Sequence, residues 1–286
     1  MCKICEWLSE LLNPVPPEIE PDPEPIPDPI PEREKYALLV GINKYLQPGS
    51  DLMGCVNDIL NLKSILINMF GFKMENIIIL LNEQATYNNI ITELKWLVPH
   101  ENSELVFANS SHGSYVPDLN GDEVDGYDEI LIPYDHDWNR PLTDDILGDI
   151  FSLVPNSSFL TFLCDSCHSG TVSRSMETKP RFLKPKINID ITKLIGKKIG
   201  DRVFESNHIL FSGCKDNQYS SDAYINGIWQ GAFTEAYTLY INPTKSWGDI
   251  YINVLDHLRL GGFGQTPQLS GSVMDVDGRF IFGGNI

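Results

Sequence analysis

Phe159-Leu160-Thr161-Phe162-Leu163-Cys164-Asp165-Ser166-Cys167-His168-Ser169-Gly170 decides how the rest of the chain is read. The stretch begins apolar, with no helical period, and breaks off into small polar residues. Such a run predicts a buried parallel strand. It delivers a tight loop to the C-terminal edge of a sheet, where open α/β folds hold their sites. The loop carries a thiol, Cys167, beside Asp165, His168 and Gly170. A second segment has the same shape: Glu104–Ala108 runs into Asn109-Ser110-Ser111-His112-Gly113. If the two strands are neighbours, a His and a Cys meet at their ends, which is the pairing a thiolate nucleophile needs.

Working outward, Tyr36–Ile42 reads as a first buried strand and Cys55–Phe70 as a helix that stops at Gly71. Ile77–Leu81 is a second strand, Thr86 caps a helix carrying Ile90, Ile91, Leu94 and Leu97, and Leu105–Ala108 is the third strand. Phe159–Cys164 and His208–Gly213 are the fourth and fifth, and Arg279–Phe282 is a candidate sixth. Helices are expected at Ala232–Tyr240 and Trp247–Leu260. Strands alternating with helices give an α/β fold, a mostly parallel six-stranded sheet with helices on both faces.

Before this domain, residues 1–13 have a helix-length apolar pattern, and residues 14–31 are half proline. The second stretch is a stiff, acidic, extended arm, and a partner docking on it is an open reading. The organisation expected is therefore an arm over 1–34 and a folded domain over 35–283. The domain divides into 35–171, a basic linker 172–206, and 207–283. The linker holds nine Lys or Arg against four acids, and no strand is evident in it.

The net charge of −18 over 286 residues excludes nonspecific nucleic-acid and anionic-membrane binding, which need basic patches. No apolar run reaches the ~20 residues of a membrane span, and Met1–Trp7 lacks a signal-peptide core. A cytoplasmic monomer is the expectation. Six scattered cysteines do not make a disulfide framework. Cys2 and Cys5 are half a zinc site with no second pair nearby. Cys164 and Cys167 also form a C-x-x-C, so a thioredoxin-like redox role competes with the nucleophile reading.

In a loop of this composition Cys167 is expected to be accessible. Free backbone N–H groups there can hold an oxyanion, and a nearby His can lower the thiol pKa. His112 is the preferred base. His168 is the competitor, although side chains adjacent in an extended loop point apart. Asp165, two positions before the thiol, fits the floor of a pocket that accepts a cationic side chain. Asp118 to Glu129 gives a partial match to an EF-hand loop, but Glu123 replaces the glycine of the turn.

These residues together resemble the metacaspases. The likeness rests on His112-Gly113, Asp125-Gly126-Tyr127-Asp128-Glu129, Thr143-Asp144-Asp145 and Asp165-Ser166-Cys167-His168-Ser169-Gly170. Ser212-Gly213-Cys214-Lys215-Asp216-Asn217-Gln218, Gln230-Gly231-Ala232-Phe233-Thr234 and Gln265-Thr266-Pro267-Gln268-Leu269 complete it. The resemblance implies a caspase-like fold and a cysteine endopeptidase with a His112–Cys167 dyad, cutting protein or peptide substrates after Arg or Lys. It implies an oxyanion hole from Gly113 and Cys167, and a specificity pocket from Cys55, Asp58, Ser110 and Asp165. It further implies a calcium site at Asp128, Asp144 and Asp145, with Arg174 standing where those proteins have a fourth acidic ligand. A catalytically silent adaptor or calcium-binding module is the alternative. Because an acidic pocket prefers basic residues, the tethered linker is expected to occupy the cleft and be cut there.

Overall fold

The chain divides into two units, Met1–Glu32 and Arg33–Ile286. A computed structural model describes residues 33–118, 120, 121, 123, 126–167, 178–185, 207–215, 218–271, 276 and 278–283. The expected N-terminal helix and proline-rich arm, His168, Arg174 and most of the basic linker lie outside the described residues.

The strands are β1 (Glu34–Gly41), β2 (Ile77–Leu81), β3 (Ser103–Ser110), β4 (Gly113–Pro117), β5 (Tyr127–Leu131), β6 (Leu142–Thr143), β7 (Phe159–Asp165), β8 (Thr178–Pro180), β9 (His208–Ser212), β10 (Ser221–Ile225), β11 (Ile228–Gly231) and β12 (Gln268–Ser270). The helices are α1 (Cys55–Phe70), α2 (Tyr87–Leu97), α3 (Asp144–Phe151), α4 (Ala232–Tyr240) and α5 (Trp247–Leu260). Six strands form the central sheet in the order β12-β9-β7-β3-β1-β2, parallel except where β12 meets β9.

Successive residues of a strand point to opposite faces, and the core divides accordingly. Leu38, Val40, Leu105, Phe107, Leu160 and Phe162 pack with α2 and α3. Ala37, Leu39, Val106, Phe159, Leu163 and Phe211 pack with α1, α4 and α5. Both faces are thus covered, which is why these strands read as unbroken apolar runs. Thr86 caps α2 through its side chain, as expected, accepting from the Asn89 amide.

Three readings need correction. The sixth strand is β12, not Arg279–Phe282; there the chain makes one bridge at Phe280 and a single 3-10 turn, with Phe282 at φ 48°. The linker does contain a strand, β8, which pairs antiparallel with β10. It is invisible in the sequence because three residues carry no period, and its partner supplies the pairing. The loop after β7 does not expose its thiol: Cys167 is fully buried, because residues of the linker cover it.

Two small antiparallel sheets, β4-β5-β6 and β11-β10-β8, stand beside the carboxyl ends of the central strands. The β10–β11 hairpin turns at Asn226-Gly227, with φ of 53° and 88°. Positive φ at both central residues is the geometry Asn-Gly favours in two-residue hairpins.

Candidate active site

β3 and β7 are parallel neighbours with Ser110 opposite Asp165, so the two loops emerge side by side. They touch, since a Cβ at Gly113 would collide with the Cys167 carbonyl. His112 is buried, and its amide donates to the Tyr45 hydroxyl at 2.8 Å. Its Nε2 lies 2.7 Å from the Ser50 carbonyl oxygen. A carbonyl only accepts, so Nε2 carries the proton and the neutral ring keeps its lone pair on Nδ1. That Nδ1 is buried without a hydrogen-bond partner among the described residues. Burial lowers the His112 pKa to about 4, so the ring is an uncharged base at neutral pH. Burial, reinforced by Cys214, pushes the Cys167 thiol up. Thiol and imidazole are therefore both neutral, and the Cys167 thiol donates to the Ser220 carbonyl at 3.4 Å. The Cys167 sulfur accepts from the Ser220 amide at 3.0 Å.

Between these residues sits Arg181, a linker residue that the sequence reading did not single out. Its carbonyl oxygen accepts from the Gly113 amide at 3.0 Å and the Cys167 amide at 3.2 Å. Two convergent donors on one carbonyl are the arrangement that stabilises an oxyanion. The Arg181 amide donates to the Ser220 carbonyl at 3.0 Å, which continues the pairing of β8 with β10.

The Arg181 side chain is wholly buried and ends among three carboxylates. Its guanidinium lies 2.6 Å from Asp58, 3.0 Å from Asp165 and 3.0 Å from Asp222. It also donates to Ser110 Oγ at 2.8 Å. Buried charges persist when paired and hydrogen-bonded, and each carboxylate here has further donors. Asp58 Oδ1 accepts from the Gly231 amide, Asp165 Oδ2 from the Thr234 amide and hydroxyl, and Asp222 from the Met53 and Gly54 amides. Asp58 lies in the first turn of α1, and Thr234 in the first turn of α4. Helix N-termini thus hold both anions that the sequence reading named.

The fourth expected wall residue, Cys55, is buried beside them, its thiol pushed up by burial despite Arg181. Gly231 leaves the slot open, since a Cβ there would strike Asp165 and the guanidinium. Asp222 and Ser220 belong to the site and were missed. They sit four and two residues past Gln218, in a stretch with no period, and the Asn226-Gly227 dipeptide, a two-residue hairpin signal, is what could have found ordered strands nearby.

Cys164 does not pair with Cys167. Its sulfur lies 3.0 Å from Ser166 Oγ, and all four described cysteines are free. The redox reading therefore gains no support. The EF-hand reading fails because the segment joins two strands, β4 and β5, rather than two helices; the Asp118 carboxylate accepts from the amides of Asn120, Gly121 and Glu123. Some distance along this loop, the carboxylates of Glu123, Glu129 and Asp144 converge, with one oxygen of each within 4.8 Å of the others. Burial and then the charges of Glu129, Asp128, Asp145 and Glu123 raise Asp144 to about 8. Asp145 accepts from Asn120 at 2.6 Å.

A family model described as metacaspase, peptidase C14 domain, matches residues 35–175. Metacaspase-1 of Scheffersomyces stipitis is 33% identical over 299 residues, covering 86% of this chain and 73% of that one. Metacaspase-1 of Schizosaccharomyces pombe is 32% identical over 289 residues, covering 83% and 67%. Among solved structures, a Geobacter sulfurreducens protein superposes with a TM-score of 0.66 at 22% identity, covering 87% of this chain and 98% of that one. Caspase-1 from Spodoptera frugiperda does so at 0.56 and 13%, covering 84% and 86%. The likeness to caspase-1 shows a caspase-like fold. No helix among the described residues is long and apolar enough to cross a membrane.

Proposed function

The chain belongs to the metacaspase family and is a cysteine peptidase; from that premise we propose that it cuts after Arg or Lys with a His112–Cys167 dyad. Its first substrate on this reading is its own Arg181–Phe182 bond. One observation carries the proposal: Arg181 occupies a three-carboxylate slot while its carbonyl accepts from both Gly113 and Cys167 amides.

The chemistry follows from these atoms. Nδ1 of His112 takes the Cys167 proton, and the sulfur attacks the Arg181 carbonyl carbon. The carbonyl oxygen, now an oxyanion, keeps its two amide donors. The imidazolium returns its proton to the Phe182 nitrogen as the C–N bond breaks. Water, deprotonated by His112, then releases the acyl group from sulfur. With the carbonyl seated, thiol and imidazole are both still neutral, so the proton is transferred as the sulfur attacks.

The pocket gives this reading a pH test. Burial raises Asp58 to about 6, against the opposing effect of Arg181. Asp58 is therefore charged above pH 6 and loses its charge as pH falls through that value. kcat for an Arg peptide, which reports the filled slot that Arg181 represents here, should drop along with it. His112, at about 4, stays neutral across the window and does not create this limb. Asp58→Asn should lower kcat/KM at pH 7.5 by roughly 1–3 kcal/mol, the worth of a hydrogen bond to a charged group. It should also flatten the acid limb. An unchanged limb in the variant would remove Asp58 from the pocket.

Calcium is the second part of the proposal. Of Asp128, Asp144 and Asp145, Asp144 alone converges with Glu123 and Glu129; these three offer hard oxygen donors of the kind the ion takes, while Asp128 and Asp145 add their charge from nearby. Asp144 Oδ1 is buried without a hydrogen-bond partner among the described residues. Bound calcium would neutralise the crowded carboxylates and tie the β4–β5 loop to the start of α3. Titration calorimetry at millimolar calcium should show binding with proton release from Asp144, read as a heat that changes with buffer. Asp144→Asn should abolish it. No heat in the wild type would end the calcium proposal.

A further inference from the structure

The segment seated in the cleft is buried unevenly. Before the Arg181–Phe182 bond, Lys179 and Pro180 are exposed, and their strand is held by main-chain pairing with β10. After the bond the side chains turn inward. The Phe182 ring is stacked with Tyr115, centroids 6.1 Å apart at 21°, and tilted against Tyr219 at 5.6 Å and 57°. Leu183 is buried and joins the hydrophobic core. Its amide donates to the Gly113 carbonyl at 3.0 Å, and its carbonyl accepts from Ser114 Oγ at 2.6 Å. At Lys184 the chain is exposed again.

The walls of this slot are braced from behind. Tyr127 meets Tyr115 edge-on, centroids 4.9 Å apart at 71°. The loop carrying Tyr219 is tied on one side by Gln218, which exchanges hydrogen bonds with Thr266. On the other side Gln265 bonds both Ser220 and Ser221. Walls held this way lose little freedom when a side chain enters, and so the contact shows up as affinity. The residue pattern Gln265-Thr266 thus acquires a use: it fixes the far wall of the slot.

We infer that the cleft selects substrates on the departing side of the cut, taking an aromatic residue first and a branched aliphatic residue second. The inference rests on the peptidase reading above and adds the two positions that follow the basic residue. The first position is read by two aromatic faces, which favour a ring and meet an acidic side chain with their negative quadrupoles. The second is read by burial in the core and by two hydrogen bonds that hold its backbone in register. The two positions before the arginine contribute pairing but present their side chains to water. Substrates that end in a dye directly after arginine therefore report on the cation pocket alone.

The test uses internally quenched octapeptides and the full-length protein, with the cut position read by mass spectrometry. The parent is Thr-Lys-Pro-Arg-Phe-Leu-Lys-Pro; three others replace Phe by Ala, Phe by Glu, and Leu by Ala. Losing one well-packed side chain in a pocket is worth roughly 10–200-fold. The parent should therefore exceed each Ala peptide about tenfold or more in kcat/KM, with the Glu peptide slowest. Tyr115→Ala should shrink the Phe-over-Ala preference to about twofold, as expected for one lost wall of an aromatic slot. Equal kcat/KM for all four peptides in the wild type, each cut after Arg, would overturn this inference while leaving the peptidase reading intact. A protein that cuts none of them after Arg would remove the peptidase reading and this one together.

Discussion

Cys167→Ala protein is expected to remain a single chain and to lose hydrolysis of Arg peptides by about 10⁴-fold or more, the scale seen when a nucleophile is deleted. Wild-type protein should instead separate into two fragments, the second beginning at Phe182. The change is small in every other respect. The Cys167 side chain is buried, but its amide, which donates to the Arg181 carbonyl, survives in alanine. Removing one sulfur from a packed site costs little beside a peptidase's whole stability, so the variant should fold, and circular dichroism will check that it does. His112→Ala should fall by roughly 10²–10⁴-fold, the contribution of a general base. Its neighbour's thiol is held up by burial and has no charged partner to ionise it. Gel analysis and N-terminal sequencing read both variants. A Phe182 end appearing in Cys167→Ala protein would sink the mechanism.

The sequence carried the central sheet well because its strands are buried on both faces. Runs such as Ala37–Val40 and Phe159–Leu163 are apolar without interruption, and the helices between them have a clear period. It carried the pocket partly. Asp165 ends a strand that is legible, and Cys55, Asp58 and Ser110 were supplied by resemblance. Asp222 was not legible, since its role depends on a hairpin folding back across more than a hundred residues to meet Met53 and Gly54. Arg181 was lost for a different reason. The segment is expected to occupy the cleft, but its nine Lys or Arg carry no period that singles one out, and this arginine is fully buried because three distant carboxylates converge on it. Local pattern reports local periodicity; it does not report charge complementarity between segments. The burial of Cys167 follows from the same event, because what covers the thiol is the segment that Arg181 anchors.

Arg181→Glu should separate the two roles that the proposed function gives Arg181, plug and cleavage site. In the intact chain the guanidinium fills the slot that any added substrate must enter, and tethering gives it an effective concentration on the order of millimolar. A carboxylate in its place faces Asp58, Asp165 and Asp222, and like charges at such separations repel strongly in a buried site. The segment should then leave the slot. The Arg181→Glu chain should stay uncut at this bond yet hydrolyse an added Arg peptide without a lag. Arg181→Lys should still be cut, but about tenfold or more slowly. A single ammonium cannot span three carboxylates and Ser110 as the planar guanidinium does, and losing one such charged contact is worth roughly a factor of ten or more. Time courses of chain cleavage and peptide hydrolysis, taken from the same samples, read both roles at once. A folded Arg181→Glu protein that is silent towards added peptide would show that breaking the chain, rather than emptying the slot, switches the enzyme on. Cleavage before Phe182 in that variant would show instead that the three carboxylates do not choose the bond. The prediction stands on a charge count: one buried cation among three anions becomes a fourth anion, a repulsion that the pairing with β10 and the Phe182 and Leu183 contacts are left to oppose.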